Sequence, residues 1–204
     1  YEGRKVTFRE LSELAEKVEQ ALRARGHFAV ARIPPQEIEN EEAVLEVLFS
    51  RMGNLSVEDN RFFRKKKTLS YWRIPKGELL RFDKIEESLL ALNENPDRKV
   101  KPLVKAGDTL GTTDVVLKVE DRLPLHFGYG LDNYGSSLTG KEKHTITLRD
   151  TNMLGLDDTF VVGTAFGEWF GALFLQHAIP VGSRGTRANW GFSHAQVNPK
   201  KDTK

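Results

Sequence analysis

The spacing of apolar positions changes its period part-way along the chain. From Phe8, apolar residues return at Leu11, Leu14, Ala15, Val18 and Leu22, which is the spacing of one helix face. Thr7 followed by Glu10 forms a capping box at its start, and Gly26 supplies its stop. Residues 27–33 and 43–49 then read as two paired strands on either side of the Pro34-Pro35 break. A second unit follows with little sequence identity to the first. Residues 55–60 predict a strand, Phe82, Ile85, Leu89 and Leu92 a helix stripe, and Asn95-Pro96 its end. Residues 99–106 and 113–120 repeat the strand pair, with Pro102 marking the former as an edge strand or bulge. This half of the chain predicts two small α+β modules in tandem.

Beyond Pro124 the period becomes two. Phe127, Tyr129 and Leu131 alternate with Gly128, Gly130 and Asp132, and Ile146 and Leu148 with Thr145, Thr147 and Arg149. Residues 159–166, 169–179 and 186–193 continue the series, the last setting Ala188, Trp190 and Phe192 opposite Arg187, Asn189 and Gly191. Gly140, Asp157-Asp158, Glu168 and the run from Gly182 to Gly185 mark the turns. Five meander strands of roughly 8 to 11 residues, apolar and aromatic-ended on one face, small and polar on the other, match a transmembrane β-barrel. Strands of a soluble sandwich also alternate. A sandwich core, however, would bury Arg149 and Arg187 at a prohibitive cost, whereas a water-filled lumen hydrates them.

Composition sharpens the division: 11 of the 17 glycines and 10 of the 19 aromatic residues follow Pro124, so the two halves are built differently. With 31 basic and 29 acidic residues the net charge is +2, too small to draw the whole chain to nucleic acid or an anionic membrane. The absence of cysteine excludes a disulfide framework, thiol catalysis and cysteine-based metal sites. No apolar run approaches the ~18 residues of a membrane-spanning helix, which says nothing about strands. The sequence opens at Tyr1 in mid-pattern, without a basic and apolar leader, and reads as a piece of a longer protein.

Several short stretches together resemble one family. Gly130-Leu131-Asp132-Asn133-Tyr134-Gly135-Ser136, Thr139-Gly140 and Asn152-Met153-Leu154-Gly155-Leu156-Asp157-Asp158 resemble the start of the barrel in two-partner secretion transporters of the TpsB (haemolysin activator) type. Ile33-Pro34-Pro35-Gln36 looks like the loop of that family's first POTRA module, and Gly111-Thr112-Thr113-Asp114-Val115 like the turn into the last strand of the second. The resemblance implies a first POTRA module over residues 1–52, lacking its first strand, a second over 53–122, and over 123–204 the opening strands of an outer-membrane β-barrel. Ser50-Arg51-Met52-Gly53 stands where the family has a glutamate-glycine pair, so the sequence leaves the joint between modules open.

By the same resemblance the activity is export of a secreted, β-rich partner protein across the outer membrane, with the modules in the periplasm, lipid around the barrel and no cofactor or nucleic acid. Alternatives from the sequence are an assembly factor of the same superfamily that inserts barrels, and a soluble two-module binding protein with a sandwich tail. The resemblance implies capture of an extended client chain at exposed strand edges. The candidate edge residues are Ala29, Val30 and Ala31 in the first module and Val100, Lys101 and Leu103 in the second, unless these merely complete the module's own sheet. Asp132, Arg149, Arg187 and Asn189 share the polar parity and are the candidate pore-lining residues, with Phe127, Tyr129, Ile146, Leu148, Trp190 and Phe192 turned to lipid. No dinucleotide fingerprint, Walker loop or nucleophile elbow occurs, so no enzymatic role is expected. His126 and His144 have the residue type for metal binding but lack accompanying ligand spacing, and read as ordinary strand residues rather than a metal site. Residues 61–67, Arg-Phe-Phe-Arg-Lys-Lys-Lys, interleave cations with aromatics as nucleic-acid binders do; with charge balanced elsewhere they read as a solvated helix face over buried Phe62 and Phe63.

Overall fold

A computed structural model describes residues 7–36, 42–182 and 185–198. Ser183 and Arg184, inside the expected Gly182 to Gly185 turn, lie outside the described residues. The chain divides into two compact units, one comprising residues 1–58, 71–90 and 100–118, the other residues 59–70, 91–99 and 119–204.

In the first unit, helix α1 (Phe8–Ala24) begins at the expected capping box: the Glu10 amide donates to Thr7 Oγ1 at 3.3 Å, and the Thr7 amide donates back to Glu10 Oε2 at 2.9 Å. It is followed by Gly26 in the left-handed region at φ 82°, which a side chain rarely tolerates. Strands β1 (Ala29–Arg32) and β2 (Glu46–Phe49) pair antiparallel. Between them the Gln36 side-chain amide imitates a neighbouring strand: it donates to the Val44 carbonyl at 2.9 Å and accepts the Val44 amide at 2.7 Å.

Strand β3 (Arg51–Glu58) starts four residues earlier than the alternation predicts. The reason is a bulge: Met52 and Gly53 are buried in succession, which breaks the period of two, and the pairing register shifts between Met52 and Leu55. The displaced Asn54 amide donates to Asp114 Oδ1 at 2.6 Å. A Cβ on residue 53 would stand 2.0 Å from that same oxygen, which explains the glycine. The expected module joint at 52/53 thus falls inside a continuous strand.

Helix α2 (Lys65–Leu69) is short, and helix α3 (Phe82–Leu92) carries the predicted stripe. Strands β4 (Arg98–Ala106) and β5 (Thr112–Asp121) complete a sheet in the order β3-β5-β4, with β3 parallel to β5 and Pro102 on an edge strand as its missing N–H requires. Met52, Leu80, Val100, Val115 and Leu117 form the buried core of the first unit.

In the second unit, β6 (Leu125–Asp132), β7 (Lys143–Asp150), β8 (Thr159–Gly167), β9 (Phe170–Pro180) and β10 (Arg187–Val197) form one antiparallel meander. Each strand pairs with the next in sequence, leaving β6 and β10 as edges among the described residues. The basic stretch at 61–67 differs from the helix face the sequence suggests. Only its last three residues are helical, and Phe62 and Phe63 precede the helix. Asp121 accepts the amides of Arg61, Phe62 and Phe63 at 2.9–3.1 Å, a set of three backbone donors that holds the segment in a turn. Phe63 is buried there beneath the Arg98 guanidinium, while Phe62 is half-buried.

Candidate functional site

The register of the meander decides what each face carries, because directly opposed residues of antiparallel strands project to the same side. Phe127 opposes Leu148 and Tyr129 opposes Ile146; Leu148 opposes Val162, which opposes Leu175, which opposes Phe192. This chain of pairs makes one apolar face across all five strands, and Phe127 remains 73% exposed on it. A contiguous exposed apolar face of this kind marks a surface that something else covers.

The other face is small and polar. His126 opposes Arg149, Gly128 opposes Thr147, Asp132 opposes Lys143 and Asn189 opposes Ala178. The four residues singled out by parity, Asp132, Arg149, Arg187 and Asn189, all lie on this face. Their environments differ. Asp132 accepts an ion pair from Lys143 Nζ at 3.2 Å. Arg149 and Asn189 are exposed. Arg187 is tied down, with Nη2 3.4 Å from Glu94 Oε1 and Nη1 donating to the Asp157 carbonyl at 3.3 Å. Gly163 keeps the face low where it is tightest, since a Cβ there would meet Phe174 Cζ at 2.4 Å and the Ile146 carbonyl oxygen at 2.7 Å.

His126 and His144 lie on opposite faces of the sheet. His126 Nε2 bonds Asp97 Oδ2 at 2.6 Å, whereas His144 Nδ1 bonds the Tyr129 hydroxyl at 2.8 Å and its ring stacks on Phe166. Among the described residues no group of three or more histidine, aspartate or glutamate side chains is arranged to hold a metal ion.

At the end of the sheet where β6 begins lies a buried polar knot that sequence reasoning did not find. The Asp97 carboxylate is fully buried and accepts from Thr151 Oγ1 at 2.6 Å, Arg122 Nε at 2.7 Å and His126. Burial by itself would raise its pKa, but the hydrogen bonds from Thr151, His126 and Arg122, with the His126 charge, outweigh it and hold the carboxyl below its ordinary value. Next to it, buried Arg98 pairs with Asp157 at 2.8 Å and donates through Nε to the Leu92 carbonyl at 2.9 Å. Asp158, also fully buried, accepts the Leu154 amide at 2.9 Å and faces His177 Nε2 at 2.9 Å. Asp157 adopts φ 61°, and its amide donates to Asn152 Oδ1 at 3.0 Å.

The β7–β8 turn, 151–158, is therefore a folded anchor. It returns the chain to β8 and locks onto residues 95–98 and the Phe62 carbonyl, which accepts from Asn152 Nδ2 at 3.1 Å. The only sequence signals for it are the paired aspartates, legible as a turn, and the family-like stretch 152–158.

The candidate client edges are placed as follows. Within its two-stranded sheet β1 pairs with β2 alone, with Ala29 buried, Ala31 half-buried and Val30 50% exposed. Strand β4 is the outer strand of its sheet, with Val100 buried in the core and Lys101 and Leu103 exposed. The six residues belong to two separate sheets, so they form two edges rather than one.

Comparison with known proteins agrees with these features. Residues 111–166 match the family model of the haemolysin secretion/activation proteins ShlB/FhaC/HecB, a span that contains four of the family-like stretches, at 111–115, 130–136, 139–140 and 152–158. The heme/hemopexin transporter protein HuxB of Haemophilus influenzae is 25% identical over 161 residues, covering 78% of this chain and 28% of the relative. The outer membrane transporter CdiB-2 of Burkholderia pseudomallei is 27% identical over 164 residues, covering 80% of this chain and 28% of the relative. The chain thus spans under a third of the length of the curated relatives it matches. Among solved structures, CdiB from Escherichia coli superposes with a TM-score of 0.72 at 19% identity, over 93% of this chain and 36% of that one. BamA from Haemophilus ducreyi lacking POTRA domains 1-3 superposes with a TM-score of 0.66 at 15% identity, over 97% and 38%. The match to the family model over residues 111–166, the relatives and the shared fold together make this chain similar to two-partner secretion transporters of the TpsB type.

Proposed function

We propose that the complete protein exports a secreted, β-rich partner polypeptide across the outer membrane, recognising it through periplasmic POTRA modules and passing it through a β-barrel pore. The observation that carries this reading is the division of the five-stranded meander into an exposed aromatic face and a small polar face. Lipid satisfies the first and water the second, an arrangement expected of a pore wall and costly in a soluble sheet. The similarity to proteins named as an outer membrane transporter and a heme/hemopexin transporter supports it.

In this reading residues 1–52 and 53–122 are the two modules, and 123–204 open the barrel. Asp132, Arg149 and Asn189 line the passage, while Arg187 braces its base. The client adds as an extended strand to the β1 edge at Ala29, Val30 and Ala31 or to the β4 edge at Val100, Lys101 and Leu103, where backbone pairing supplies affinity. Val30 and Leu103 expose their side chains and are the natural reporters.

The test is secretion by the full-length protein of the polypeptide encoded beside it, with a photo-crosslinking residue at position 30 or 103. Export together with adducts to the client from at least one position supports the reading. Normal export without adducts at either position removes these edges from the recognition step. Loss of export only for clients that are themselves membrane barrels favours an assembly factor instead.

A further inference from the structure

Where β6 leaves the polar knot lies a hollow of about 310 Å³ whose lining includes Arg122, His126, Thr147, Arg149 and Thr151, together with Phe127. Two of these side chains, Arg122 and Arg149, are permanently cationic. His126 and Arg149 are directly opposed across β6 and β7, which sets both side chains on the same side of the sheet.

The cations are held in place from below. Buried Asp97 bonds both Arg122 Nε and His126 Nε2, and the Arg122 side chain nevertheless stays 67% exposed. Asp97 is thus a positioning residue that fixes the Arg122 and His126 side chains beside the hollow. Arg149 has no carboxylate within ion-pair distance among the described residues, so one buried negative charge faces two permanent positive ones. Gly128 leaves the hollow open, because a Cβ there would come within 2.5 Å of Thr147 Oγ1.

Arg122 gives Nε to Asp97 and Nη2 to the Pro96 carbonyl at 3.4 Å, so the Arg149 guanidinium is the one with its donors uncommitted to a carboxylate; a guanidinium in a recess selects a planar anion that can take two parallel N–H donors, which is the geometry of a carboxylate. His126, Gly128, Thr147 and Arg149 of the hollow share the polar parity of the sheet, the side on which a polypeptide in the passage would run, although Phe127 also contributes to the lining. We propose that Arg122, His126 and Arg149 form a carboxylate-binding site that grips acidic side chains of the exported polypeptide as it enters along the polar face. The proposal rests on the export reading above and assigns the chemistry of the segment the passage holds.

The experiment uses the full-length transporter in planar lipid bilayers, with synthetic octaglutamate as the probe and octalysine as its control. Octaglutamate should block the pore current of the wild type from the module side while octalysine does not. Arg149→Gln, an exposed substitution unlike any change to buried Asp97, should raise the half-blocking octaglutamate concentration about tenfold, the worth of one charge-assisted contact. Lys143→Gln, at the far end of the same face, should keep the wild-type sensitivity. Equal block of the wild type and Arg149→Gln, or no block of either, overturns the site. A raised resting current in Arg149→Gln without any peptide effect also overturns it, and assigns the hollow to a carboxylate of the transporter itself. Folded wild-type protein that passes no current rejects the pore reading, a failure distinct from an open pore indifferent to octaglutamate.

Discussion

The Thr151 hydroxyl donates to the Asp97 carboxylate over 2.6 Å, joining residues 54 positions apart. Through it the loop before β4 and the β7–β8 turn share one buried anion, which also holds Arg122 and His126. Removing the charge while keeping the shape isolates its role. Asp97→Asn should lower stability by about 1.5–3 kcal/mol, the range for hydrogen bonds to charged groups, read as a drop in melting temperature of the detergent-solubilised full-length protein.

The same residue sets an acid dependence. Its folded-state pKa lies below the ordinary value, so its contribution is complete above the unfolded value of about 3.9 and disappears as pH falls through the lower folded value. Wild-type melting temperature should therefore fall more steeply on acidification through that window than that of Asp97→Asn. Parallel curves would remove Asp97 from the acid response.

The parity of the sheet predicts opposite outcomes for neighbours. Leu148 lies on the exposed apolar face and Thr147 on the polar one. An arginine at the centre of a lipid face costs about 2–4 kcal/mol, so Leu148→Arg should reduce barrel assembly in the outer membrane while Thr147→Arg does not. Equal membrane levels of the two folded variants would contradict the assignment of faces.

Two glycines on the polar face should respond differently to one methyl group. At Gly163 the added carbon meets the Ile146 carbonyl oxygen at 2.7 Å, and a backbone atom cannot step aside. At Gly130 the nearest atom is Thr145 Cβ at 3.9 Å, ordinary contact. Gly163→Ala should slow folding into detergent micelles or lower its yield, measured by loss of heat-modifiable mobility on electrophoresis, and Gly130→Ala should match the wild type.

Gln36 makes a paired contact with the Val44 peptide, giving and receiving one hydrogen bond. Gln36→Ala should cost about 1–2 kcal/mol, two exposed bonds at the lower end of their usual worth, and Gln36→Glu should recover the half that accepts the Val44 amide. A glutamate variant as unstable as the alanine variant would show that the donated bond carries the whole effect.

What the sequence determined by itself was periodicity: α1 with its capping box and glycine stop, α3, the strand pairs and the five-strand meander all follow from spacing among near neighbours. Face membership was also legible, because a period of two fixes parity whatever the register. Strand β3 began earlier than the pattern showed, since the bulge at Gly53 breaks alternation where the partner Asp114 lies far along the chain. The polar knot was invisible for the same reason on a larger scale. Arg98 and Asp157 are 59 positions apart, and nothing in the local pattern around either points to the other. Arg187 looked like one more residue of the polar face until Glu94 and the Asp157 carbonyl came within reach. A charge is stable in a protein interior only with a partner, and which partner arrives is decided by how strands and turns pack in space, so tertiary structure alone could turn Asp157 and Asp158 from turn residues, and Asp97 beside them, into the anchor of the sheet.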